Sequence, residues 1–228
     1  MKSVRLWKIG ALAIALGLSS TSLATTLVVR STGSSAKLFP PGKALPDSAK
    51  IQLQPGDSVM LLNAKGARTL RGPGTFAVAS AGGGSLATAA ARRERTASMR
   101  SAAVPLNPSP WYLDITQSGK LCVADSSKLT LWRPQKEDSI TLTIRGGGGE
   151  QTLDWAAGTD TIAWPASLPV TSGAEYQLSQ PGSGDSARVT FVTLSNPPGD
   201  AVGTAQSLIA NGCNNQLDVL VEATPDMN

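Results

Sequence analysis

A serine and a lysine three residues apart are the first side chains in the sequence that could form a catalytic pair. Ser34-Ser35-Ala36-Lys37 fits the pattern S-x-x-K, in which a lysine deprotonates a nucleophilic serine. The chain lacks the S-D-N and K-T-G segments that complete such a site, and it shows no large helical domain to hold the serine. A His-free hydrolase that uses Ser34 and Lys37 is therefore the alternative to a non-catalytic function.

The lack of histidine excludes several kinds of catalytic and metal site. None of the 228 residues is His, which rules out Ser-His-Asp catalysis, Cys-His catalysis and His-ligated zinc. Gly56-Asp57-Ser58-Val59 is similar to the GDSL hydrolase box, but that chemistry also needs a histidine. We therefore expect Asp57 to be a turn residue that follows Pro55-Gly56.

The carboxylates and glycines after residue 145 do not follow the spacing of a calcium site or a phosphate-binding loop. Asp154, Asp160 and Asp185 lack the D-x-D-x-D-G pattern that gathers oxygens around calcium, which favours loop or cap roles. Asp154 and Asp160 are nevertheless the carboxylates that an enzyme could use. Gly146 to Gly149 precedes no Lys-Ser or Lys-Thr pair, so it predicts a hairpin loop and not a phosphate cradle. We predict no catalytic residue, cofactor or metal.

Two tryptophans offer a candidate binding surface. Trp155 and Trp164 flank the turn AAGTD and occur in the similar segments LDWAAG and IAWPAS. Stacked on an exposed face, the two indoles could hold a sugar ring or the side chain of a partner. The same residues could instead fill the core of a small β domain, which would require no binding role.

A cluster of arginines forms a candidate basic patch. Arg92, Arg93, Arg95 and Arg100 lie in residues 80–110, a stretch rich in Ala, Gly and Pro. The arginines could bind an acidic surface or lipid headgroups. The composition also fits a solvated, flexible linker between two domains, and we adopt this interpretation.

Charge is divided unevenly between the two sides of that linker. Residues 25–79 hold seven Lys/Arg and two Asp, whereas residues 111–228 hold six basic and thirteen acidic residues. The two halves could dock on each other, or the basic half could face an anionic polymer. The third interpretation is an ordinary solvated surface.

The N-terminus predicts a signal peptide, residues 1–24. Three basic residues in the first eight positions precede the apolar stretch IGALAIALGL, and Ser22 and Ala24 have the small side chains of a cleavage site. Because a membrane-spanning helix needs about 20 apolar residues, we expect no transmembrane anchor after cleavage; a retained N-terminal anchor is the alternative. The mature chain would hold 17 basic and 16 acidic residues, which argues against a nucleic-acid partner. The expected location is periplasmic or secreted.

Residues 25–79 predict a small β-meander or barrel. Short apolar runs alternate with the turn sequences PPG, PGD, KG and GPG. Alternation in Ile51-Gln52-Leu53-Gln54 places Ile51 and Leu53 on one buried face. The segment LQPGDSVMLLNAKGARTLRGPGTF resembles the β-repeat of FecR-like periplasmic domains. That resemblance implies a fold and a compartment; it implies no signalling role, because the cytoplasmic segment and spanning helix of the signalling members are missing.

Residues 111–196 predict a second β domain of the sandwich type, because candidate strands recur every eight to twelve residues or so. The residues that should point inward are Leu129, Leu131, Leu142 and Ile144. The candidate strands are Trp111–Thr116, Lys120–Ala124, Lys128–Arg133, Ser139–Arg145, Gln151–Ala156, Thr161–Ala163, Glu175–Ser179 and Arg188–Leu194.

Two segments of this region resemble immunoglobulin-like and fibronectin-type modules. They are LTLWRP and, further along, LPVTSGAEYQL. In those modules a Trp on an early strand packs the core and a Tyr after a Gly turn fixes a corner. The resemblance implies these roles for Trp132 and Tyr176.

The C-terminal segment, residues 197–228, predicts two short helices. The first begins after Pro197-Pro198-Gly199 with Asp200 as its N-cap and ends at Asn211-Gly212. The second begins at Asn214, and its apolar residues Leu217, Leu220 and Val221 follow helical spacing.

Two cysteines predict a disulfide bond that staples this segment to the sandwich. Cys122 lies on a predicted strand and Cys213 lies near the C-terminus. Two cysteines in an exported chain most simply pair with each other. Free thiols or an intermolecular bond are the alternatives.

These observations together predict a mainly β protein with a small N-terminal meander or barrel, a C-terminal sandwich and two short helices. The function expected of it is that of an exported, non-enzymatic binding or scaffolding protein of the bacterial cell envelope. Its partner would be an envelope protein or polymer, and the sequence specifies neither this partner nor an oligomeric state.

Overall fold

The computed structural model describes residues 25–79, 106–182 and 184–227 of the chain. These residues form a mainly β protein with several sheets and two C-terminal helices, which confirms the predicted fold class. The predicted signal peptide and most of the predicted linker lie outside the described residues.

The N-terminal β domain contains six strands in two antiparallel sheets. The order of the larger sheet is β2-β1-β4-β5, and β3 pairs with β6. Ile51 and Leu53 are 0% and 2% exposed, which confirms the face predicted from their alternation. The strands are β1 (Thr25–Thr32), β2 (Ala44–Pro46), β3 (Lys50–Leu53), β4 (Ser58–Asn63), β5 (Gly66–Arg71) and β6 (Gly74–Ala77).

The second β domain contains eight strands, near the predicted positions. They form a five-stranded sheet, β11-β10-β13-β14-β8, and a three-stranded sheet, β12-β9-β7. The strands are β7 (Tyr112–Asp114), β8 (Gly119–Val123), β9 (Thr130–Trp132), β10 (Ile140–Gly146), β11 (Gly149–Trp155), β12 (Thr161–Ala163), β13 (Glu175–Ser179) and β14 (Ser186–Thr193).

One apolar core fills the space between these two sheets. The four residues predicted to point inward all belong to it, and none is more than 5% exposed. The alternation of apolar and polar residues predicts these positions correctly because each strand presents one face to the opposite sheet. The four residues are Leu129, Leu131, Leu142 and Ile144.

Glycines form the turn between β10 and β11, as predicted. Gly146 pairs with Gly149, which leaves a two-residue loop whose φ angles are +58° at Gly147 and +84° at Gly148. Two consecutive positive φ angles favour glycine and match the twist of an antiparallel hairpin. The loop is therefore a tight turn and not a phosphate-binding segment.

The first C-terminal helix begins and ends where the sequence predicts, and the second begins where it predicts. Helix α1 spans Ala201–Asn211, the Asp200 side chain accepts a hydrogen bond from the Gly203 N–H, and Gly212 ends the helix at φ +73°. Helix α2 spans Asn214–Ala223. The ends of α1 follow the usual chemistry of an N-cap side chain and a left-handed C-terminal glycine.

The predicted disulfide is present. Cys122 of β8 and Cys213, between the helices, are bonded, and their Cα atoms lie 5.9 Å apart. Both residues are at most 1% exposed. The bond ties the helices to the five-stranded sheet, as predicted.

The helices also pack against the N-terminal β domain, a contact that the sequence analysis did not predict. Leu27 and Leu62 share a core with Leu208, Cys213 and Leu217. Beyond α2, the Ala67 N–H donates to Pro225 O, and the Met227 N–H donates to Ala67 O, so the chain end adds to β5. The helical segment thus contacts both β domains.

Candidate functional site

Both tryptophans of the candidate binding surface are buried. Trp155 is 1% exposed and Trp164 is 8% exposed, and both belong to the sandwich core. Their indole N–H groups donate inside the protein, from Trp155 to Thr159 O at 3.0 Å and from Trp164 to Leu168 O at 2.9 Å. The candidate surface is therefore wrong, because a small sandwich uses large aromatic side chains to fill its interior.

Trp164 belongs to an aromatic cluster that organises one part of that core. Its ring centroid lies 5.1 Å from those of Tyr176 and Phe191, with edge-on geometry in both pairs. The Tyr176 hydroxyl donates to Pro169 O, which satisfies its only polar group. This contact has the form that the immunoglobulin-like and fibronectin-type resemblance implies for Tyr176, although the resemblance itself stays a prediction.

The Ser34–Lys37 segment does not form a catalytic pair. It is a 3-10 turn in which the Ser34 hydroxyl donates to Asp57 Oδ1 at 3.1 Å. Lys37 is exposed, and no hydrogen bond joins it to Ser34 in the part of the chain that the structure describes. The lysine is thus not positioned to remove the serine proton.

Asp57 is the centre of this turn and is more than the simple turn residue that we predicted. Its buried carboxylate accepts hydrogen bonds from the Ser35 hydroxyl and N–H and from the Gln54 N–H at 2.8 Å. The hydrogen bond from Ser35 is the main cause that lowers the Asp57 pKa to about 2. A carboxylate with so low a pKa is a weak base, so the serines around it are not activated.

The other two candidate carboxylates, Asp154 and Asp160, have different hydrogen-bond partners. Asp154 Oδ1 accepts a hydrogen bond from the Thr141 hydroxyl at 3.2 Å, whereas Asp160 contributes its backbone oxygen to the Arg133 N–H. The two carboxylates share no hydrogen-bond donor among the described residues. Within 25–79, 106–182 and 184–227, no group of three or more His, Cys, Asp or Glu could hold a metal ion.

The candidate basic patch, formed by Arg92, Arg93, Arg95 and Arg100, lies outside the described residues.

A different arginine, Arg133, is buried in the sandwich. Arg133 is 3% exposed and donates three hydrogen bonds of 2.8 to 3.0 Å to backbone oxygens of Asp138, Ala156 and Thr159. Burial lowers its pKa, and its guanidinium stacks 5.0 Å from the Trp155 ring centroid. Arg133 therefore supports loops and is not available to an anion.

A concave surface of about 440 Å³ opens at one end of the sandwich, next to Arg133. Its lining includes the apolar residues Ile140, Leu142 and Leu178 and the acidic residues Glu137 and Asp138. The one arginine that lines this pocket already donates to backbone oxygens, so it is not free to hold an anion there.

A second concave surface, of about 280 Å³, lies between α2 and strands β7 and β8. We call it the helix groove. Its apolar lining includes Leu106, Tyr112, Trp132 and Val219. Leu106 is 70% exposed, whereas Trp132 is only 3% exposed. The lining of the groove thus combines an exposed apolar side chain with aromatic residues, which is typical of contact surfaces.

Acidic residues line the same groove. Asp114, Asp218 and Glu222 contribute carboxylates and Lys120 contributes the only side-chain cation among its lining residues. Asp218 forms an exposed ion pair with Arg30 of β1, so one of the three carboxylates is already partnered. The surplus of acidic groups favours a cationic partner.

The sequence analysis missed the helix groove because its residues come from three separate segments. Tyr112 and Trp132 lie on the paired strands β7 and β9, and the packing of α2, which the disulfide ties to β8, brings Val219 to them. The excess of acidic residues after residue 110 was the one available signal.

Comparison with known proteins adds no family: the chain matches no protein-family model, no curated protein and no solved structure. The FecR-like and immunoglobulin-like resemblances accordingly stay predictions. Among the residues that the structure describes, neither helix has the length and apolar character required to cross a membrane.

Proposed function

We propose that this chain is an exported, non-enzymatic binding or scaffolding protein of the bacterial cell envelope, and that its helix groove receives a basic segment of an envelope protein. The observation that carries the proposal is the groove itself, with Tyr112 and Trp132 in its lining and acidic groups around them. Apolar contact would supply affinity, and the carboxylates would select a partner of positive charge.

The expected compartment agrees with the covalent structure. A signal peptide would direct the chain to an oxidising environment, and the Cys122–Cys213 bond is of the kind that persists there. The similarity of residues 26–80 to FecR-like domains belongs to the same proposal, as a statement about fold and compartment alone.

The proposal favours binding over catalysis because the serine of the S-x-x-K pattern has another partner. Ser34 donates to Asp57, whose low pKa makes it a poor base, and Lys37 is exposed to solvent. We retain no second function, since nothing in the geometry favours the Ser-Lys hydrolase.

Site-specific photo-crosslinking in intact cells tests this proposal. A photoreactive amino acid replaces Val219, in the helix groove, and in a matched control it replaces Gln177, which is exposed on β13 outside the groove. We expect one discrete adduct with an envelope protein from position 219 and none from position 177. Reversal of the groove charge with Asp114→Lys and Glu222→Lys should reduce the adduct about tenfold, because it repels a basic segment.

The same experiment can refute the proposal. Equal labelling from the two positions, or a position-219 adduct that is insensitive to charge reversal, would show that the groove is not a specific contact surface. Recovery of the protein from the cytoplasm with its first 24 residues attached would refute the proposed compartment.

A further inference from the structure

The five-stranded sheet has one edge that no described residue covers. Strand β11 is its outermost strand and pairs only with β10. The register runs from Gly146↔Gly149 to Ile140↔Trp155 without a shift, so β11 is regular over seven residues. It contains no proline and no bulge, two of the devices with which proteins usually protect such an edge.

The register shows which backbone groups face outward. In a hairpin with a two-residue loop the closing pair exchanges hydrogen bonds, and such pairs then alternate along the strands. Gly149, Gln151, Leu153 and Trp155 therefore bond to β10. The other residues of β11, which are Glu150, Thr152 and Asp154, direct their N–H and C=O groups away from the sheet.

This outward row is available for pairing. All three residues are exposed, and within the described chain the only hydrogen bond to their backbone is a weak one of 3.3 Å from Gln151 Nε2 to Thr152 O. A strand that adds to such an edge gains main-chain hydrogen bonds along its whole length.

The charges on β11 indicate what kind of strand could pair with its open edge. Glu150, Thr152 and Asp154 lie on one face because side chains alternate along a strand. Arg145 pairs with Glu150 at 2.7 Å, whereas no Lys or Arg forms an ion pair with Asp154 among the described residues. This face of the edge thus keeps an uncompensated carboxylate, which a cation on an added strand could neutralise.

The same charges argue against a second copy of this chain as the occupant. Two β11 strands paired antiparallel about Thr152 would place Glu150 of each opposite Asp154 of the other. Like charges directly opposite each other destabilise a pair of strands. Self-association through this edge is therefore disfavoured.

We propose that the β11 edge binds an extended basic peptide segment of a partner protein by antiparallel strand addition. The peptide has Lys or Arg at two positions four residues apart, opposite Glu150 and Asp154. Between them it has apolar side chains that lie beside the half-buried Leu153 on the other face. This site is distinct from the helix groove, which adjoins β8 at the opposite side of the same sheet.

Titration of the purified full-length protein with the blocked peptide Gly-Lys-Val-Thr-Val-Lys-Gly tests the proposal. We expect amide NMR shifts centred on Glu150, Thr152 and Asp154, and binding at least about fivefold tighter than that of the peptide with both Lys changed to Glu. Thr152→Pro removes the central outward N–H but no bond to β10, and it should weaken binding at least about tenfold. Thr152→Val keeps the N–H and should bind like the wild type.

A second measurement keeps the test decisive if Thr152→Pro does not fold. Methylation of the backbone nitrogen of the central Thr in the peptide removes the corresponding hydrogen bond while the protein stays unchanged, and we expect about a tenfold loss of binding. Shifts outside β11, no binding, or equal binding of the methylated peptide would overturn the proposal. A dimer in sedimentation that dissociates on Thr152→Pro would also overturn it, in favour of a second copy. Charge reversal in the helix groove should leave this peptide affinity unchanged, which separates the two sites.

Discussion

The two edges of the five-stranded sheet are treated in opposite ways. At β8, the Gln216 side chain of α2 accepts a hydrogen bond from the Cys122 N–H at 2.6 Å and donates to Cys122 O at 2.9 Å. At β11, three residues present their backbone groups to solvent. One edge is thus closed by a side-chain amide that imitates a neighbouring strand, and the other is left open.

The difference between the two edges indicates that the β8 edge serves stability and the β11 edge serves binding. The closed edge joins the sandwich, the helices and the N-terminal β domain through the disulfide and a shared apolar core. The open edge bears little of that packing, and its unpaired backbone groups are a template on which another strand can pair. We therefore expect substitutions at β8 and α2 to change stability, and substitutions at β11 to change binding.

Loss of the disulfide at the closed edge should cause the largest loss of unfolding free energy. Cys122→Ala with Cys213→Ala opens a loop of 91 residues, which by the chain-entropy estimate costs about 4–5 kcal/mol of unfolding free energy. Urea unfolding of this variant and of the wild type measures the difference. A change below about 1 kcal/mol would show that packing alone holds the helices in place.

Removal of the Gln216 amide that covers β8 should cause the next largest loss of unfolding free energy. Gln216→Met keeps a buried side chain of similar length but leaves Cys122 N–H, Cys122 O and Pro110 O without a partner. We expect a loss of about 2–4 kcal/mol in urea unfolding. The neighbouring Asn215→Ala removes only an exposed hydrogen bond to Ser118 O and serves as the control, with a loss of about 1 kcal/mol or less.

The hairpin that carries the open edge allows a comparison of two adjacent glycines. A Cβ atom at Gly147 would lie 2.1 Å from the Tyr176 hydroxyl oxygen, whereas a Cβ at Gly148 would meet no atom within 4 Å. Gly147→Ala should therefore cost about 2 kcal/mol, and Gly148→Ala about 1 kcal/mol from backbone conformation alone. Equal thermal stability of the two variants would contradict the close contact between this turn and the core.

The effect of pH on Asp57 reports on the N-terminal β domain apart from both edges. Since the folded pKa of about 2 lies below the ordinary 3.8, Asp57 stabilises the fold above pH 4, and this contribution is lost as the pH falls from about 4 through 2. Asp57→Asn should lower stability at neutral pH and flatten this acid dependence. Denaturation curves of both proteins at several pH values measure it; identical slopes would contradict the assignment.

Much of the fold followed from local patterns in the sequence. Helix α1 begins and ends at its predicted caps, and the bounds of β12 and β13 agree with the prediction, because turn residues and alternation act within a few positions. The disulfide was predictable because two cysteines allow a single intramolecular pair.

The candidate sites were less predictable because they depend on contacts between distant segments. Alternation could not decide whether Trp155 and Trp164 faced the core or solvent, and the structure buries both. Gln216 is one polar residue in a helix, and nothing near it in sequence indicates that it meets Cys122, 94 positions away. Asp57 likewise meets Ser35 only after β1 and β4 pair.

Native-state amide hydrogen exchange at Cys122 and Thr152 tests the central comparison most directly. We expect the Cys122 N–H to be protected nearly as strongly as the Leu153 N–H inside the sheet. The Thr152 N–H should exchange at least about 100-fold faster than its neighbour at Leu153, without unfolding of the domain. Equal, strong protection at Thr152 and Leu153 would instead mean that the β11 edge is covered and cannot receive another strand.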